Sequence, residues 1–338
     1  STPKPSSAAS DVYKRQEDTW CERVYSPWPD LDAEMRKHAI PLFALESQDP
    51  IKDFDFLGIT LQYEMCYTNI LQVLDLSGIP LRTKDRKKGD TLVIGGGPCS
   101  YNPEPIADFF DIFYMGEGEV SYDELLELYK VYKHSDMTRQ EFLIKVSNIP
   151  GLYVPELYEV TYHEDGTIAS FGPKFDGVPA TVTKTVVMDH SKVTYPEKPV
   201  VSFMKLTQDR VVLEIMRGCI RGCRFCQAGM IYRPTRPKNV DMLKGYAEKM
   251  LASTGHEEIT FSSLSSSDYE DLPELTDCLI EKMDNEHVNI SLPSLRIDAF
   301  SLDVMSKIQD VKKSSLTFAP EAGTQRLRNV INKGLTKE

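Results

Sequence analysis

Residues 210–229 read RVVLEIMRGCIRGCRFCQAG. RVVLEIMRG is an apolar run rich in β-branched residues and reads as a strand. Directly after it come Cys219, Cys223 and Cys226, spaced by three residues and then two, among Arg217, Gly218, Arg221, Gly222 and Arg224. The chain holds seven cysteines in 338 residues, so this crowding is local. A structural zinc site needs four protein ligands. Here there is a single CxxC pair, and the nearest histidines, His190 and His256, lie about thirty residues away. A thioredoxin-like dithiol needs no third thiol. A [4Fe–4S] cluster takes four thiolates, so three would leave one iron open to a ligand, a catalytic feature by the logic of open zinc sites. Arginines favour thiolates, and Gly218 and Gly222 let a loop turn tightly. The loop also follows a strand end, where barrel active sites form. Two rivals remain open: a non-catalytic metal-binding module, and an electron-transfer cluster with Cys278 as fourth ligand.

Outward from this loop the pattern alternates. Helix-period residues 239–254 precede the strand EITFSSLS (258–265), and a helix over 271–286 precedes the strand NISLPSLRI. SLDVMSKIQ then reads as a helix, SSLTFAPEA as a strand, and GTQRLRNVINKG as a helix ending at glycine. Residues 210–338 are thus four βα units, too few to close a barrel, and the expectation is a chain cut at both ends.

Residues 17–149 alternate likewise. Strands are expected at 40–46, 56–62, 91–97 and 112–119, and helices at 31–38, 68–78 and 121–134. This spacing predicts βαβ units around a parallel sheet. The strand ends carry Gln62, Tyr63 and Glu64; Gly95, Gly96 and Gly97; and Gly116, Glu117 and Gly118. Ligands of open α/β sheets sit at such ends, and glycines admit them to the backbone. Tight turns are the alternative. Residues 150–209 read as a β-rich linker, with a hairpin turning at Glu164–Asp165–Gly166 and further β character in VPATVTKTVVM and KPVVSF. Residues 1–16 have no strand or helix period and read as foreign to the fold. Their SSAASDVYKRQ resembles translated adapter sequence.

The net charge is −12, and no apolar run reaches membrane-spanning length. An odd cysteine count in a long chain argues against a secreted disulfide scaffold, which places the expectation in the cytoplasm. From Arg217 to Lys249 the local balance reverses to +6, and IYRPTRP sets basic residues beside an aromatic. That pattern could contact RNA phosphate; the plainer reading, with the acidic net charge, is the field around an anionic cluster and SAM.

The cysteine motif, with Phe225 before the last cysteine and a strand in front, resembles the radical S-adenosylmethionine (SAM) superfamily. LQYEMCYTNIL, GGGPCSYNPEP, GEGE, CRFCQAGMIYRPTRP, SLSSSDY and APEAGTQRLR resemble a group within it that carries an N-terminal cobalamin-binding-like domain. The resemblance implies a flavodoxin-like B12-type domain, then an incomplete (β/α)6 partial barrel. It implies a [4Fe–4S] cluster on Cys219, Cys223 and Cys226 whose fourth iron is chelated by SAM. It further implies reductive SAM cleavage to a 5′-deoxyadenosyl radical, an unnamed substrate, and an electron donor such as flavodoxin or ferredoxin. Cobalamin is a candidate cofactor, with methyl transfer as one use of it and RNA or protein modification as others. The D-x-H-x-x-G motif of classical B12 domains does not occur in this chain.

The same resemblance places Phe225, Ser265, Ser266, Asp268, Arg296 and Glu321 at the SAM site. Serines stand where the superfamily has a glycine-rich motif, and they could instead cap the next helix. Arg296 could pair with the SAM carboxylate or with Asp298. Glu321 could sit near the ribose or favour the following helix dipole.

Overall fold

The computed structural model describes residues 19–192, 195–204, 206–283, 288–292, 296, 306 and 319–336. The chain divides into two compact units, Ser1–Val187 and Met188–Glu338.

The first unit is built on a four-stranded sheet. β1 (Phe56–Thr60), β2 (Leu92–Gly96) and β3 (Ile112–Tyr114) run parallel in that order, and β4 (Leu152–Tyr153) joins β3 antiparallel. β2 is buried along almost its whole length because it lies between neighbours and under helices, which is why it reads as an unbroken apolar run. The helices are α1 (Pro29–Lys37), α2 (Tyr67–Ser77), α3 (Tyr122–Lys133) and α4 (Arg139–Val146). α4 starts on a capping box between Thr138 and Glu141. Phe110, Phe113, Phe142, Leu74, Ile112 and Leu152 form the fully buried centre.

Asp111 ties this centre together. Its carboxylate accepts from Val93 N at 2.7 Å, Arg86 Nη1 at 2.8 Å and Arg139 Nη2 at 2.6 Å. Arg86 also donates to the Pro80, Leu81 and Phe109 carbonyls. Both side chains of the Arg86–Asp111 pair are essentially inaccessible. Burial pushes the Arg86 pKa down, opposed by Asp111. A buried charge is tolerated when it is paired and hydrogen-bonded, as here.

Residues 40–46 are not a strand. Leu42 N donates to Leu76 O at the end of α2, and the segment forms one isolated bridge, Phe43 to Pro50. Leu42 and Ala44 are apolar because they pack into the core. The expected linker over 150–209 is divided: β4 completes the first sheet, residues up to Val187 stay with the first unit, and Met188 onward belongs to the second. The hairpin forms as β5 (Tyr158–Tyr162) and β6 (Ile168–Pro173). Among the described residues of VPATVTKTVVM and KPVVSF there is no strand, only a bridge from Thr185 to Gly116.

The second unit holds three parallel strands in the order β11 (Asn289–Ser291), β10 (Glu258–Ser262), β7 (Val211–Glu214). α6 (Val240–Thr254) and α7 (Leu272–Met283) make the crossovers. Asn239 caps α6, its Oδ1 accepting from Asp241 N at 2.8 Å. Leu213, Phe261, Leu243, Ala247, Leu275 and Leu279 form the core. Tyr195 lies along β7: its hydroxyl accepts from Glu214 N at 3.0 Å and donates to Val212 O at 3.1 Å. The expected helix SLDVMSKIQ, apart from residue 306, and the start of SSLTFAPEA lie outside the described residues. Residues 319–322 are not strand, and the last helix is α8 (Gln325–Val330). No helix among the described residues is long and apolar enough to cross a membrane.

Asp111→Ala leaves Arg86 buried without its counter-charge, so it should lower the unfolding free energy by about 3–5 kcal/mol. Urea unfolding followed by circular dichroism measures this; a loss below about 1 kcal/mol would deny the network its structural role.

Candidate active site

The cysteines sit on a loop whose two ends are pinned together. β8 (Met216–Arg217) follows β7 after one residue and pairs antiparallel with β9 (Arg236–Pro237). Gly218 opens the loop at φ +82°, and a Cβ there would lie 2.5 Å from Pro234 O and 2.7 Å from Tyr232 O. Only glycine meets both demands. Within the loop, Cys226 N donates to Cys223 O at 3.1 Å, and α5 (Ala228–Ile231) follows.

Each of the three sulfurs accepts an N–H. Arg221 N reaches Cys219 Sγ at 3.4 Å, Gly229 N reaches Cys226 Sγ at 3.4 Å, and Arg296 Nη1 reaches Cys223 Sγ at 3.9 Å. Donors aimed at sulfur favour thiolates and suit an iron–sulfur cluster. All three cysteines are half-buried. Among the described residues no three His, Cys, Asp or Glu side chains converge on one metal ion. The thiolates of a [4Fe–4S] cube bind separate irons, so its cysteines need not share one point. The donor set therefore fits a cluster.

The arginines of the loop act differently from the sequence expectation of a shared positive field on the thiols. Arg217 Nε bonds both Glu214 oxygens at 3.1 Å. Arg221 holds Asp268 through two nitrogens, one at 2.9 Å. Arg224 Nη1 donates to Val330 O at 2.5 Å. Arg221 serves the cysteines through its backbone N–H.

Glu214 also accepts from the buried Lys238 Nζ at 2.7 Å. Burial raises the Glu214 pKa, but Lys238 and Arg217 outweigh it and hold the carboxyl below its ordinary value. His190 is buried near this group, with neither ring nitrogen hydrogen-bonded. Burial, then Arg217 and Lys238, push its pKa down and keep the imidazole neutral. No motif in the sequence marked it.

The expected SAM residues fall into linked sets. Burial works against the Asp268 charge, yet hydrogen bonding from Arg221 leads the groups that lower its pKa. Asp268 is therefore engaged by Arg221 and not left open toward a ligand amine. Ser266 Oγ bonds Ser263 Oγ at 2.9 Å, and Ser265 Oγ is buried with no partner at hydrogen-bond geometry, though close enough to Asp268 to favour its charge. Glu321, at φ +66°, meets Lys333 Nζ at 3.4 Å, and the same ammonium lies 5.8 Å from the half-exposed Phe225 ring. Glu321 does not cap α8; Thr324 does, accepting from Leu327 N at 3.3 Å.

In the first unit, Gln62, Tyr63 and Glu64 lie exposed after β1. Most of the glycines at the ends of β2 and β3 lie close against neighbouring residues. A Cβ at Gly95 would meet Leu61, Phe110 and Phe113 side chains, at Gly97 the Leu61 carbonyl, and at Gly118 the Tyr122 ring. Gly116, at φ +118°, lies against Thr185, whose carbonyl would be 2.2 Å from a Cβ. Glu117 accepts from Val187 N at 2.7 Å, so it latches this crossing. Gly96 alone of these five glycines keeps clear space, with Tyr114 Cβ nearest at 4.0 Å.

The family model described as "Radical SAM proteins, N-terminal" matches residues 9–155, and that of the "Radical SAM superfamily" matches residues 213–338. This chain belongs to the radical SAM superfamily. Cluster and SAM are that superfamily's cofactors. An uncharacterised protein of Methanocaldococcus jannaschii is 32% identical over 299 residues, which are 88% of this chain and 56% of the relative. The apo structure of the cobalamin-dependent SAM radical enzyme OxsB superposes with a TM-score of 0.54 at 13% identity, covering 93% of this chain and 40% of OxsB. OxsB with aqua-cobalamin and SAM bound gives 0.51 at 14% identity, covering 84% and 38%. These likenesses show the fold: a parallel α/β unit followed by a radical SAM unit. The chain spans little more than half of its curated relative.

Two variants test the local reading. Gly218→Ala should cost about 1–2 kcal/mol for the left-handed backbone alone, displace the Pro234 carbonyl, and lose most of the iron that the wild type takes up on anaerobic reconstitution; unchanged iron content would show that the loop does not need this crossing. Glu214→Gln should be less stable than wild type at neutral pH. The depressed folded pKa means the advantage is complete above the ordinary value of 4.5 and fades as pH falls through the lower folded value. Thermal unfolding of both proteins across that range checks the sign.

Proposed function

We propose that this chain is the core of a radical SAM enzyme in which Cys219, Cys223 and Cys226 hold a [4Fe–4S] cluster. The observation that carries the reading is the loop itself: three half-buried thiols, each facing an N–H donor, closed by a glycine crossing at the carboxyl end of β7. When bound, the cluster supplies one electron that splits SAM into methionine and a 5′-deoxyadenosyl radical, which takes hydrogen from the substrate.

The chain's own residues bind and orient. The Arg221 and Gly229 amides and Arg296 each donate an N–H to one of the three sulfurs. Ser265 offers a buried hydroxyl beside Asp268, and Lys333 and Glu321 present a charged pair next to Phe225. Glu214, Lys238 and Arg217 fix the root of the loop by a satisfied charge network.

Cobalamin-dependent methyl transfer to a carbon is the finer reading. It is supported by the first unit's fold, shared with OxsB, whose structure holds aqua-cobalamin and SAM. Gln62, Tyr63 and Glu64, exposed after β1, and Gly96, with no close Cβ neighbour, would be candidates to meet such a ligand.

The test is anaerobic reconstitution of the full-length protein, reduction, and quantification of 5′-deoxyadenosine after SAM addition. Production is expected in the wild type and should vanish in Cys223→Ala together with the cluster's absorbance. Production retained by Cys223→Ala would overturn the assignment. Added hydroxocobalamin that elutes free on gel filtration would remove the methyl-transfer reading and leave the radical chemistry standing.

A further inference from the structure

The cysteine loop is held at its root by β8 and β9, but its tip is held from elsewhere. The turn that ends α8 reaches back onto it. Arg224 N donates to Ile331 O at 3.0 Å, and Arg224 Nη1 to Val330 O at 2.5 Å. In the other direction Asn332 Nδ2 donates to Gly222 O at 2.8 Å. Asn332 adopts φ +55°, a left-handed backbone that non-glycine residues avoid and asparagine tolerates best. That conformation turns the chain so that its side-chain amide meets the loop while Lys333 N returns to Arg328 O at 2.9 Å.

Arg296 joins the same assembly. Its backbone N donates to Ser267 Oγ at 3.0 Å, its Nη2 to Lys333 O at 2.7 Å, and its Nη1 lies 3.9 Å from Cys223 Sγ. Ser267 thus anchors the Arg296 backbone and the Lys333 carbonyl anchors its guanidinium, which favours a preorganised charge at the sulfur.

We propose that Arg296 and Asn332 are positioning residues of the cluster: together with the turn 330–334 they clamp the Gly222–Cys226 stretch, and Arg296 sets the charge felt at the Cys223 sulfur. This rests on the reading of Cys219, Cys223 and Cys226 as cluster ligands. It departs from the sequence expectation for Arg296, a partner for the SAM carboxylate. Hydrogen bonds and net charge at the sulfurs set the potential of an iron–sulfur cluster, and a cation favours the reduced, more negative state.

The experiment uses the full-length protein and its Arg296→Gln, Arg296→Lys and Asn332→Gly variants, reconstituted anaerobically. Iron content and the midpoint potential without SAM, followed by electron paramagnetic resonance, are the readouts. Arg296→Gln should shift the reduction equilibrium against the reduced cluster by about tenfold, the worth of one hydrogen bond to a charged group, or ~59 mV more negative for one electron. Arg296→Lys keeps the charge and should restore most of that shift, whereas a bidentate carboxylate clamp would not be rescued by lysine. Asn332→Gly keeps the left-handed turn but loses the donor, and should release iron to a chelator about fivefold faster. An unchanged potential in Arg296→Gln, together with unchanged iron release in Asn332→Gly, would overturn the proposal. If neither Arg296 variant folds, the iron-release rate of Asn332→Gly decides alone. Absence of iron in the reconstituted wild type would instead overturn the cluster reading itself, and is seen before any variant is made.

Discussion

Gly218 lies against two carbonyl oxygens, those of Tyr232 and Pro234, at distances no side chain could share. That crossing makes a loop out of what would otherwise be an extended run after β7. It brings Arg217 level with Arg236 in the β8–β9 pairing and lets Glu214 meet Lys238. With the root closed in this way, the cysteines are confined to a short arc at the end of a buried strand. Backbone amides within the arc then point at sulfur with no help from distant side chains, except at Cys223.

The charges around the loop follow a single pattern. Each positively charged group near the cysteines is matched to a carboxylate or a carbonyl: Arg217 and Lys238 to Glu214, Arg221 to Asp268, Arg224 to Val330. The sequence shows a local excess of cations, and the structure shows them organised pairwise. The nearly inaccessible Lys238 is thus matched to the Glu214 carboxylate. Pairing also leaves the local field around the sulfurs to a few fixed donors in place of a diffuse cloud.

Much of this was legible in the sequence. The helices α2, α3 and α6 follow from period and caps, and the parallel order of β1, β2 and β3 from alternation. The cysteine loop follows from spacing alone. What was not legible depends on pairings between distant positions. Residues 40–46 have the composition of a strand, but Leu42 N bonds the end of α2. The glycines after β3 give no sign in sequence that Gly116 is pressed on Thr185, sixty-nine residues later. The turn after α8 carries an ordinary helix-stop signal, Asn-Lys-Gly, that says nothing of the loop it grips. Local pattern reports burial and period; it cannot report which remote backbone a side chain will meet.

The contact between Arg224 and Val330 spans 106 residues, and that between Asn332 and Gly222 spans 110. During synthesis the cysteines therefore emerge long before the turn that holds the tip of their loop. The strand β7 and its neighbours can pack early, since domains fold as the chain appears, but the loop can take its final shape only once Lys333 has left the ribosome. Until then the three thiols sit on an unclamped segment. Order of translation thus becomes part of the assembly of the site, with α8 and its following turn acting as the step that closes it.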